Sequence, residues 1–419
     1  MIQKSVLDNG IRVITERIAG AHSVTVGFWV ENGSRHEQEP QNGISHFVEH
    51  MLFKGTSRRS ALDIAKEIDS VGGVLNAFTS REYSCYYAKV LARKLPLAID
   101  LLSDIVLHSI FDLDEIEKER RVVLQEIHML EDTPDDLVHD LFSQTFWAGH
   151  PLGRSIIGTV ETVGEISRDE LLTYMAERYC GNNIIVCAAG DLEHEKIVES
   201  INEAFQKVAA GSRQPPCSLP VYQRRITTVE KDLEQIHLCL GTRALPQHHP
   251  NRFGSYLLNA ILGGSMSSRL FQKIREGEGL AYSIYSYLNC HSDAGALVIY
   301  AGTSPEEAPR VTGIILKELK RFKDQPVPDD ELRAAREQLK GQLLLSMEST
   351  DNRMTRLAKN EIYLGRHPST RDVLAGFDQV KAEDIQKLAG FILRDDYLTL
   401  QVVGRVGKDD FPAVDLTLG

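Results

Sequence analysis

The residues of this chain best suited to chemistry lie in one pentapeptide, His46-Phe47-Val48-Glu49-His50. On a helix, residues four apart lie above one another, so His46 and His50 could hold one Zn²⁺ from the same face. Glu49 lies near that face and could take a proton from a water bound to the metal. Because the pattern is short, a helix that carries two histidines without any metal is the competing interpretation.

The flanking residues favour a functional interpretation. They are apolar, namely Phe47, Val48, Met51, Leu52 and Phe53. Two histidines and a glutamate in so apolar a helix need partners or a metal, because unpaired buried polar groups are costly. A catalytic zinc site usually has three protein ligands and one position for water, so a third ligand is expected elsewhere in the chain.

An acidic stretch at residues 114–131 is the best source of that third ligand. It shows the apolar period of one long helix, set by Ile116, Val123, Ile127 and Leu130. Glu119 and Glu126 are two turns apart and share a face of this helix. One carboxylate could bind the metal while the other orients a ligand or a water molecule. A solvated acidic helix without a metal is the alternative for this segment.

Three stretches together resemble the pitrilysin/insulin-degrading family of inverted-zincin metallopeptidases: His46–Thr56, the pair Glu119 and Glu126, and Asn76–Glu82. The resemblance covers nearly the whole chain. It is strongest to bacterial processing proteases that are similar to the catalytic subunit of the mitochondrial processing peptidase. It implies a zinc-dependent endopeptidase that hydrolyses unstructured peptides.

The resemblance also implies a role for each residue of the site. His46, His50 and Glu126 would hold one Zn²⁺ per chain, with Glu49 as the general base and Glu119 as a supporting catalytic carboxylate. Substrate would pair as an extra β-strand with a sheet edge formed by Asn76, Ala77, Phe78 and Thr79. These roles come from the family and not from the spacing of the residues alone.

In the second half of the chain, the resemblance assigns Arg275 and Tyr282 to the substrate carbonyl and the oxyanion. A surface arginine and a buried tyrosine are the simpler interpretation without the family. The family forms a clamshell of two such chain lengths, so we expect a homodimer in which Arg275 and Tyr282 serve the zinc site of the partner chain.

The pattern of elements predicts an α+β fold with two homologous domains. Strands such as Val24–Val30 alternate with helices such as Leu95–Ile110, and similar segments recur roughly 210 residues later. Each domain should have a mostly antiparallel mixed sheet with helices on one face, and the resemblance makes the chain half of a clamshell. Near the N-terminus, Asn9-Gly10 predicts a hairpin with a type I′ turn.

The repeat also predicts the domain boundaries. We expect a catalytic zinc-binding domain at 1–211, a linker rich in Pro, Gly and Ser at 212–224, and a duplicated domain at 225–419 that supplies substrate-binding residues. In the copy, Ser255, Leu258 and Asn259 fall opposite the motif residues His46, Glu49 and His50. The second half therefore has no metal ligands at these positions.

Composition and charge exclude several other functions. Of the 419 residues, 42% are hydrophobic and 25% charged, and the net charge of −12 argues against a nucleic-acid partner. No stretch is long and apolar enough to span a membrane, and the N-terminus lacks the features of a signal peptide. We therefore expect a cytoplasmic protein with no membrane partner and with free cysteine thiols.

Two hypotheses compete with the zinc endopeptidase. A catalytically inactive partner or assembly subunit of the same fold is the first, although such subunits usually lack one of His46, Glu49, His50 and Glu126. A zinc hydrolase with a non-peptide substrate is the second, since it would use the same ligands.

Overall fold

Eleven β-strands form two sheets in this computed structural model, which describes residues 1–213, 217–406 and 416–418. The strands of the first sheet are β1 (Ile2–Val6), β2 (Arg12–Arg17), β3 (Ser23–Val30), β4 (Val74–Thr79), β5 (Ser84–Leu91) and β6 (Ile184–Gly190). The strands of the second sheet are β7 (Arg225–Glu230), β8 (Ile236–Arg243), β9 (Ala281–Cys290), β10 (Gly295–Thr303) and β11 (Thr399–Gly404).

The two sheets share one topology. The first has the order β1-β2-β6-β3-β5-β4 and the second the order β7-β11-β8-β10-β9. Without β1, the orders match strand for strand, and in each sheet one pair is parallel, β2 with β6 and β7 with β11, while the other pairs are antiparallel. The predicted α+β class with two similar, mostly antiparallel sheets is confirmed.

α-Helices connect these strands, eight in the described part of the first half and six in that of the second. In the described residues of the first half they are α1 (Ile44–Leu52), α2 (Ala61–Asp69), α3 (Leu95–His108), α4 (Leu113–Asp132), α5 (Pro134–Phe146), α6 (Val160–Glu165), α7 (Arg168–Arg178) and α8 (His194–Phe205). In the second half they are α9 (Arg252–Leu262), α10 (Ala308–Asp324), α11 (Asp329–Ser346), α12 (Thr350–Leu364), α13 (Thr370–Gln379) and α14 (Ala382–Ile392). None of these helices is long and apolar enough to cross a membrane. All six cysteines are free.

Contacts divide the chain into two units, each made of three segments. Unit 1 contains Met1–Met129, Arg154–Cys217 and Leu345–His367, and the remaining described residues form unit 2. The chain changes unit five times, after Met129, Gly153, Cys217, Leu344 and His367, and Cys217 lies inside the predicted linker 212–224. Residues 214–216 of that linker, and 407–415 and 419 of the second predicted domain, lie outside the described residues. The domains at 1–211 and 225–419 stay predictions about the sequence.

The first sheet is covered by helices on both faces. Successive side chains of a strand point to opposite faces, so Val26 and Phe28 of β3 pack in the core of α1, α3 and α8, and Trp29 points away from it. On that second face, Trp29 contacts Met354 of α12, with 3.1 Å between Nε1 and Sδ. The sequence indicated helices on one face only, and α12 adds a second layer that comes from the other half of the chain.

The second sheet is covered in the corresponding way by α5. Phe142 and Phe146 of α5 pack in one cluster with Cys239 of β8, Val298 of β10 and Val403 of β11. α5 follows α4 in the first half as α12 follows α11 in the second. Each half of the chain therefore supplies the corresponding helix to the sheet formed by the other half.

The first hairpin is present, but its turn is not the predicted type I′. That turn needs positive φ at both central residues, and Phe111 is the only non-glycine residue with positive φ in the described chain, so Asn9 does not qualify. Gly10 instead has φ of +89°, and its N–H donates to the carbonyl of Leu7 at 2.8 Å. A three-residue loop that ends in a left-handed glycine has this geometry.

Candidate metal centre

The motif helix α1 has an unusual start that fixes the position of its histidines. Gly43, which precedes the helix, has φ of +98°, a conformation that favours glycine. The buried carboxylate of Glu37 accepts hydrogen bonds from the N–H groups of Gly43 and Ser45 and from the amide of Asn42, each at 2.9 Å. Burial raises the pKa of Glu37, while these hydrogen bonds oppose the rise. Glu37 thus satisfies N–H groups that a helix start leaves unpaired.

Three side chains from α1 and α4 converge beside this helix. One ligand atom from each of His46, His50 and Glu126 lies within 4.8 Å of the other two. Nε2 of His46 and Nε2 of His50 lie 3.7 and 3.6 Å from Oε2 of Glu126. These distances are too long for good hydrogen bonds. Two atoms bound to one tetrahedral zinc would lie about 3.4 Å apart, so the three donors are spaced for a single metal ion.

The state of His46 also fits a metal ligand. Burial, and then the neighbouring His50, lower the pKa of His46 to about 4, so its imidazole is neutral at neutral pH and keeps a lone pair for a metal. Its Nδ1 is buried without a hydrogen-bond partner among the described residues. When Nδ1 carries the ring proton, the lone pair of Nε2, which lies 3.7 Å from Oε2 of Glu126, is left for a metal.

His50 is oriented by the second carboxylate of α4. Nδ1 of His50 lies 3.0 Å from Oε2 of Glu119, which leaves Nε2 directed at Glu126. The side chain of Glu119 is only 8% exposed, and its other oxygen, Oε1, lies 2.7 Å from Nζ of Lys54. A carboxylate behind a metal-binding histidine sets the tautomer and orientation of the ring.

Glu49 lies next to this group without belonging to it. The hydroxyl of Thr79 donates a hydrogen bond to Oε2 of Glu49. Burial raises the pKa of Glu49, and the hydrogen bond from Thr79 works in the opposite direction. A carboxylate with a raised pKa is a stronger base, and this one is held in place beside the converging donors.

The predicted substrate strand, β4, is one of the two edge strands of the first sheet. β4 pairs with β5 on one side and has no strand partner on the other among the described residues. Along it, Thr79 faces Glu49, while Phe78 packs against Trp29 on the opposite face, with 5.5 Å between ring centroids. Asn76 is exposed and Ala77 is partly buried in the core. The side chain of Phe78 is thus used by the fold, and pairing with a peptide would rely on the backbone.

Arg275 and Tyr282 lie in unit 2 and contact each other. Arg275 belongs to a π-helical segment, Phe271–Gly277, and its guanidinium carbon lies 5.3 Å from the ring centroid of Tyr282. The side chain of Tyr282 is 77% exposed, so it is not the buried tyrosine of the simpler interpretation. Whether the pair serves a metal centre stays a prediction.

The corresponding position in unit 2 has no metal-binding group. α9 lies between β8 and β9 as α1 lies between β3 and β4. Leu258 of α9 is fully buried in the apolar core, and the amide oxygen of Asn259 accepts a hydrogen bond from Ser286 at 2.9 Å. Among the described residues, His46, His50 and Glu126 form the one cluster with metal-ligand geometry.

Sequence reasoning missed two side chains of this site. Lys54 could have been found, because it follows His50 by four residues and therefore lies on the same face as the metal-binding side chain. Glu37 carried no such signal, since its contact with the start of α1 depends on how the preceding loop turns back. Both side chains act on residues that the sequence did indicate.

Comparison with known proteins gives one consistent family. The family model described as insulinase (peptidase family M16) matches residues 12–160, and the one described as peptidase M16 inactive domain matches residues 165–339. The uncharacterized zinc protease YmxG of Bacillus subtilis is 41% identical over 95% of this chain and 97% of its own length. The uncharacterized zinc protease Rv2782c of Mycobacterium tuberculosis is 40% identical over 94% of this chain and 91% of its own length.

Solved structures show the same fold at lower sequence identity. A protease from Helicobacter pylori has a TM-score of 0.88 at 21% identity and covers 96% of this chain and 99% of its own. A peptidase M16 inactive domain from Pseudomonas fluorescens has a TM-score of 0.90 at 19% identity, with 97% and 98% covered. Because both family models match and the relatives align over nearly their full length, this chain belongs to the insulinase family of peptidases, family M16.

Proposed function

We propose that the protein is a zinc-dependent endopeptidase that hydrolyses unstructured peptides. The observation that carries this proposal is the convergence of His46, His50 and Glu126 with Glu49 alongside. Relatives named zinc proteases, at about 40% identity over nearly the whole chain, support zinc as the metal and peptides as the substrate class.

The chemistry follows from the four side chains. Zinc, when bound, supplies a Lewis acid that polarises the scissile carbonyl and lowers the pKa of water. His46, His50 and Glu126 would hold it, and Glu119 keeps His50 in the required orientation through the hydrogen bond to Nδ1. Glu49 accepts the proton of the attacking water and returns it to the leaving amine.

The free edge of β4 supports a peptide substrate. An extended peptide can add to such an edge through main-chain hydrogen bonds, which tolerates many sequences. Thr79, at the end of this strand, links the edge to the base Glu49. An ester or another small substrate would have no use for this edge, so the arrangement favours peptides over the non-peptide alternative.

Arg275 and Tyr282 are proposed, through the family resemblance, to bind the substrate carbonyl and the oxyanion of a partner chain. Both side chains are exposed, which supports their availability for such a contact. The proposal therefore includes a homodimer, and light scattering with dilution would measure it. A chain that stays monomeric with full activity contradicts the role across chains. The cytoplasmic location stays a prediction from the sequence.

An inactive partner subunit is the competing function. α9 illustrates how a lost site looks in this fold, since Leu258 and Asn259 there serve packing and a local hydrogen bond. In α1, by contrast, His46 and His50 converge with Glu126, and Glu49 lies beside them with a hydrogen bond from Thr79. This contrast favours the active enzyme.

The proposed function is tested by hydrolysis of a mixed pool of unstructured peptides, read by mass spectrometry. Purified protein should cleave the pool, lose activity with a chelator and recover it when Zn²⁺ is restored. Ester substrates should be turned over poorly in parallel. A protein that binds zinc but cleaves no peptide under any of these conditions would support the inactive subunit instead.

A further inference from the structure

A lysine forms the outermost contact of the candidate metal centre. Nζ of Lys54 lies 2.7 Å from Oε1 of Glu119, and Oε2 of the same carboxylate lies 3.0 Å from Nδ1 of His50. The two oxygens of Glu119 thus have different partners. Lys54, Glu119 and His50 form a series of contacts that leads from solvent to a candidate metal ligand. The Lys54 side chain is 31% exposed and that of Glu119 only 8%.

Local structure places Lys54 for this contact. α1 ends at Leu52, but the backbone N–H of Lys54 still donates to the carbonyl of Met51 at 3.1 Å, so the helical turn continues through it. Lys54 therefore lies one turn beyond His50, on the side that faces α4. Glu119 and Glu126 are two turns apart on α4, so α1 and α4 are joined at two levels, by the lysine contact and by the metal donors.

Charge explains why this position needs a cation. Glu49, Glu119 and Glu126 bring three carboxylates close to one site, one negative charge more than a Zn²⁺ ion neutralises. Glu119 is the most buried of these three carboxylates. A buried carboxylate that loses an ion-pair partner destabilises the fold strongly. Lys54 balances this charge, and its contact fixes the rotamer of Glu119 that accepts the Nδ1–H of His50.

We propose that Lys54 is a positioning residue of the metal centre, which holds Glu119 against His50 and thereby raises the affinity of the site for zinc. This inference rests on the proposed function, because it assumes that His46, His50 and Glu126 bind zinc. The ion pair that Lys54 makes in the described part of the chain is with Glu119, and its effect on the site passes through that carboxylate.

The test measures zinc affinity of the full-length protein by competition with a chromophoric chelator, without any activity assay. Lys54→Met keeps the length of the side chain but removes its charge, and it should weaken zinc binding about 10-fold or more, as loss of outer hydrogen-bonding partners of metal ligands does. Lys54→Arg should retain a zinc affinity within about 3-fold of wild type, because a guanidinium group also pairs with carboxylates.

Lys118→Met is the matched control. Lys118 is next to Glu119 in sequence but pairs with Glu115 at 2.6 Å, so this variant removes a lysine charge from the helix that carries Glu119 and leaves the contacts of Glu119 with Lys54 and His50 in place. It should leave the zinc affinity unchanged. Lys54→Gln serves as a second uncharged variant, and thermal unfolding of the zinc-free proteins establishes that each variant folds.

Several results would overturn the inference. Wild-type affinity in both uncharged variants of Lys54 contradicts it while leaving the proposed function intact. Equal loss of affinity in Lys54→Met and Lys118→Met would assign the effect to general charge and not to Glu119. A wild-type protein that binds no zinc would overturn the proposed function, and the role of Lys54 with it.

Discussion

At the scale of single residues, Thr79 joins two parts of the proposed site. It ends the edge strand β4, and its hydroxyl donates to the carboxylate of Glu49. A base that must face one water molecule benefits from a fixed rotamer, because misplacement of a reacting group is costly in rate. Thr79 was predicted only as a substrate-binding residue, and the structure adds this contact with the base.

Thr79→Val should lower kcat about 10-fold or more, because the valine keeps the shape of threonine but leaves Glu49 without its donor. KM should change little, since the backbone edge of β4 remains. Steady-state kinetics on a fluorogenic peptide measures both constants. Thr79→Ser keeps the hydroxyl and should retain most of the activity. A valine variant with wild-type kcat shows that the hydrogen bond does not position the base.

The sequence predicted some of these residues and not others for a physical reason. His46 and His50 follow from the geometry of one helix, so their spacing is sufficient. The contacts of Lys54 with Glu119 and of Thr79 with Glu49 join elements far apart in the chain. Spacing could place Lys54 on the face of His50, but the partner of each side chain became visible only with α1 placed against α4 and β4.

At the scale of elements, α12 shows how a helix from the second half is bound to the first sheet. Glu361 of α12 has a side chain only 4% exposed, and it pairs with Lys4 of β1 at 2.7 Å and Arg12 of β2 at 3.5 Å. His367 also lies 3.2 Å from it. Burial by itself would raise the pKa of Glu361, but the hydrogen bonds from His367 and Lys4 and the charge of Arg12 hold it at about 2.

Stability should therefore fall as the pH drops from 4.5 toward 2. The folded pKa of Glu361 lies below the ordinary value of 4.5, so the unfolded chain binds more protons in this window and folding is disfavoured there. In urea unfolding, the difference between wild type and Glu361→Gln should be largest above about pH 5 and should shrink at lower pH.

Glu348→Gln is the control for this measurement, because Glu348 is exposed just before α12. Its stability should follow that of the wild type at every pH. A constant difference between wild type and Glu361→Gln over the whole range would contradict the role of these ion pairs.

The sequence pattern did not predict that α5 packs on the second sheet and α12 on the first. The amphipathic spacing of a helix tells which of its faces is buried, but not which sheet buries it. Similarly, Asn9-Gly10 indicated a tight turn between β1 and β2, but the turn type depends on the sign of φ at Asn9, and asparagine is compatible with both signs.

At the scale of the whole molecule, the two halves share a topology but differ in their chemistry. α1 presents His46 and His50 toward Glu126 of α4, while α9 presents Leu258 to the core at the position that corresponds to Glu49. The repeat was visible in the sequence because both halves keep the same order of elements. The two compact units of the fold are harder to predict than the repeat, because each of them combines residues from both halves of the chain.

A fragment of residues 1–217 should not fold stably by itself. Without α12, the face of the first sheet that carries Trp29, Cys85 and Cys187 would lose Met354 and its neighbours and expose apolar side chains to water. We expect aggregation of the fragment alone and recovery of soluble protein when residues 218–419 are co-expressed as a separate chain. A monomeric fragment with a cooperative unfolding transition would contradict this expectation.

The central claim is that Glu49 is the base of a zinc peptidase, and one comparison tests it most directly. Wild type and Glu49→Gln are each loaded with Zn²⁺ and assayed on the same peptide, with the exposed Glu39→Gln as a control. We predict one zinc per chain in all three proteins, wild-type turnover in the control, and a kcat for Glu49→Gln lower by about 10²- to 10⁴-fold. Wild-type turnover by Glu49→Gln with its zinc bound would contradict the account.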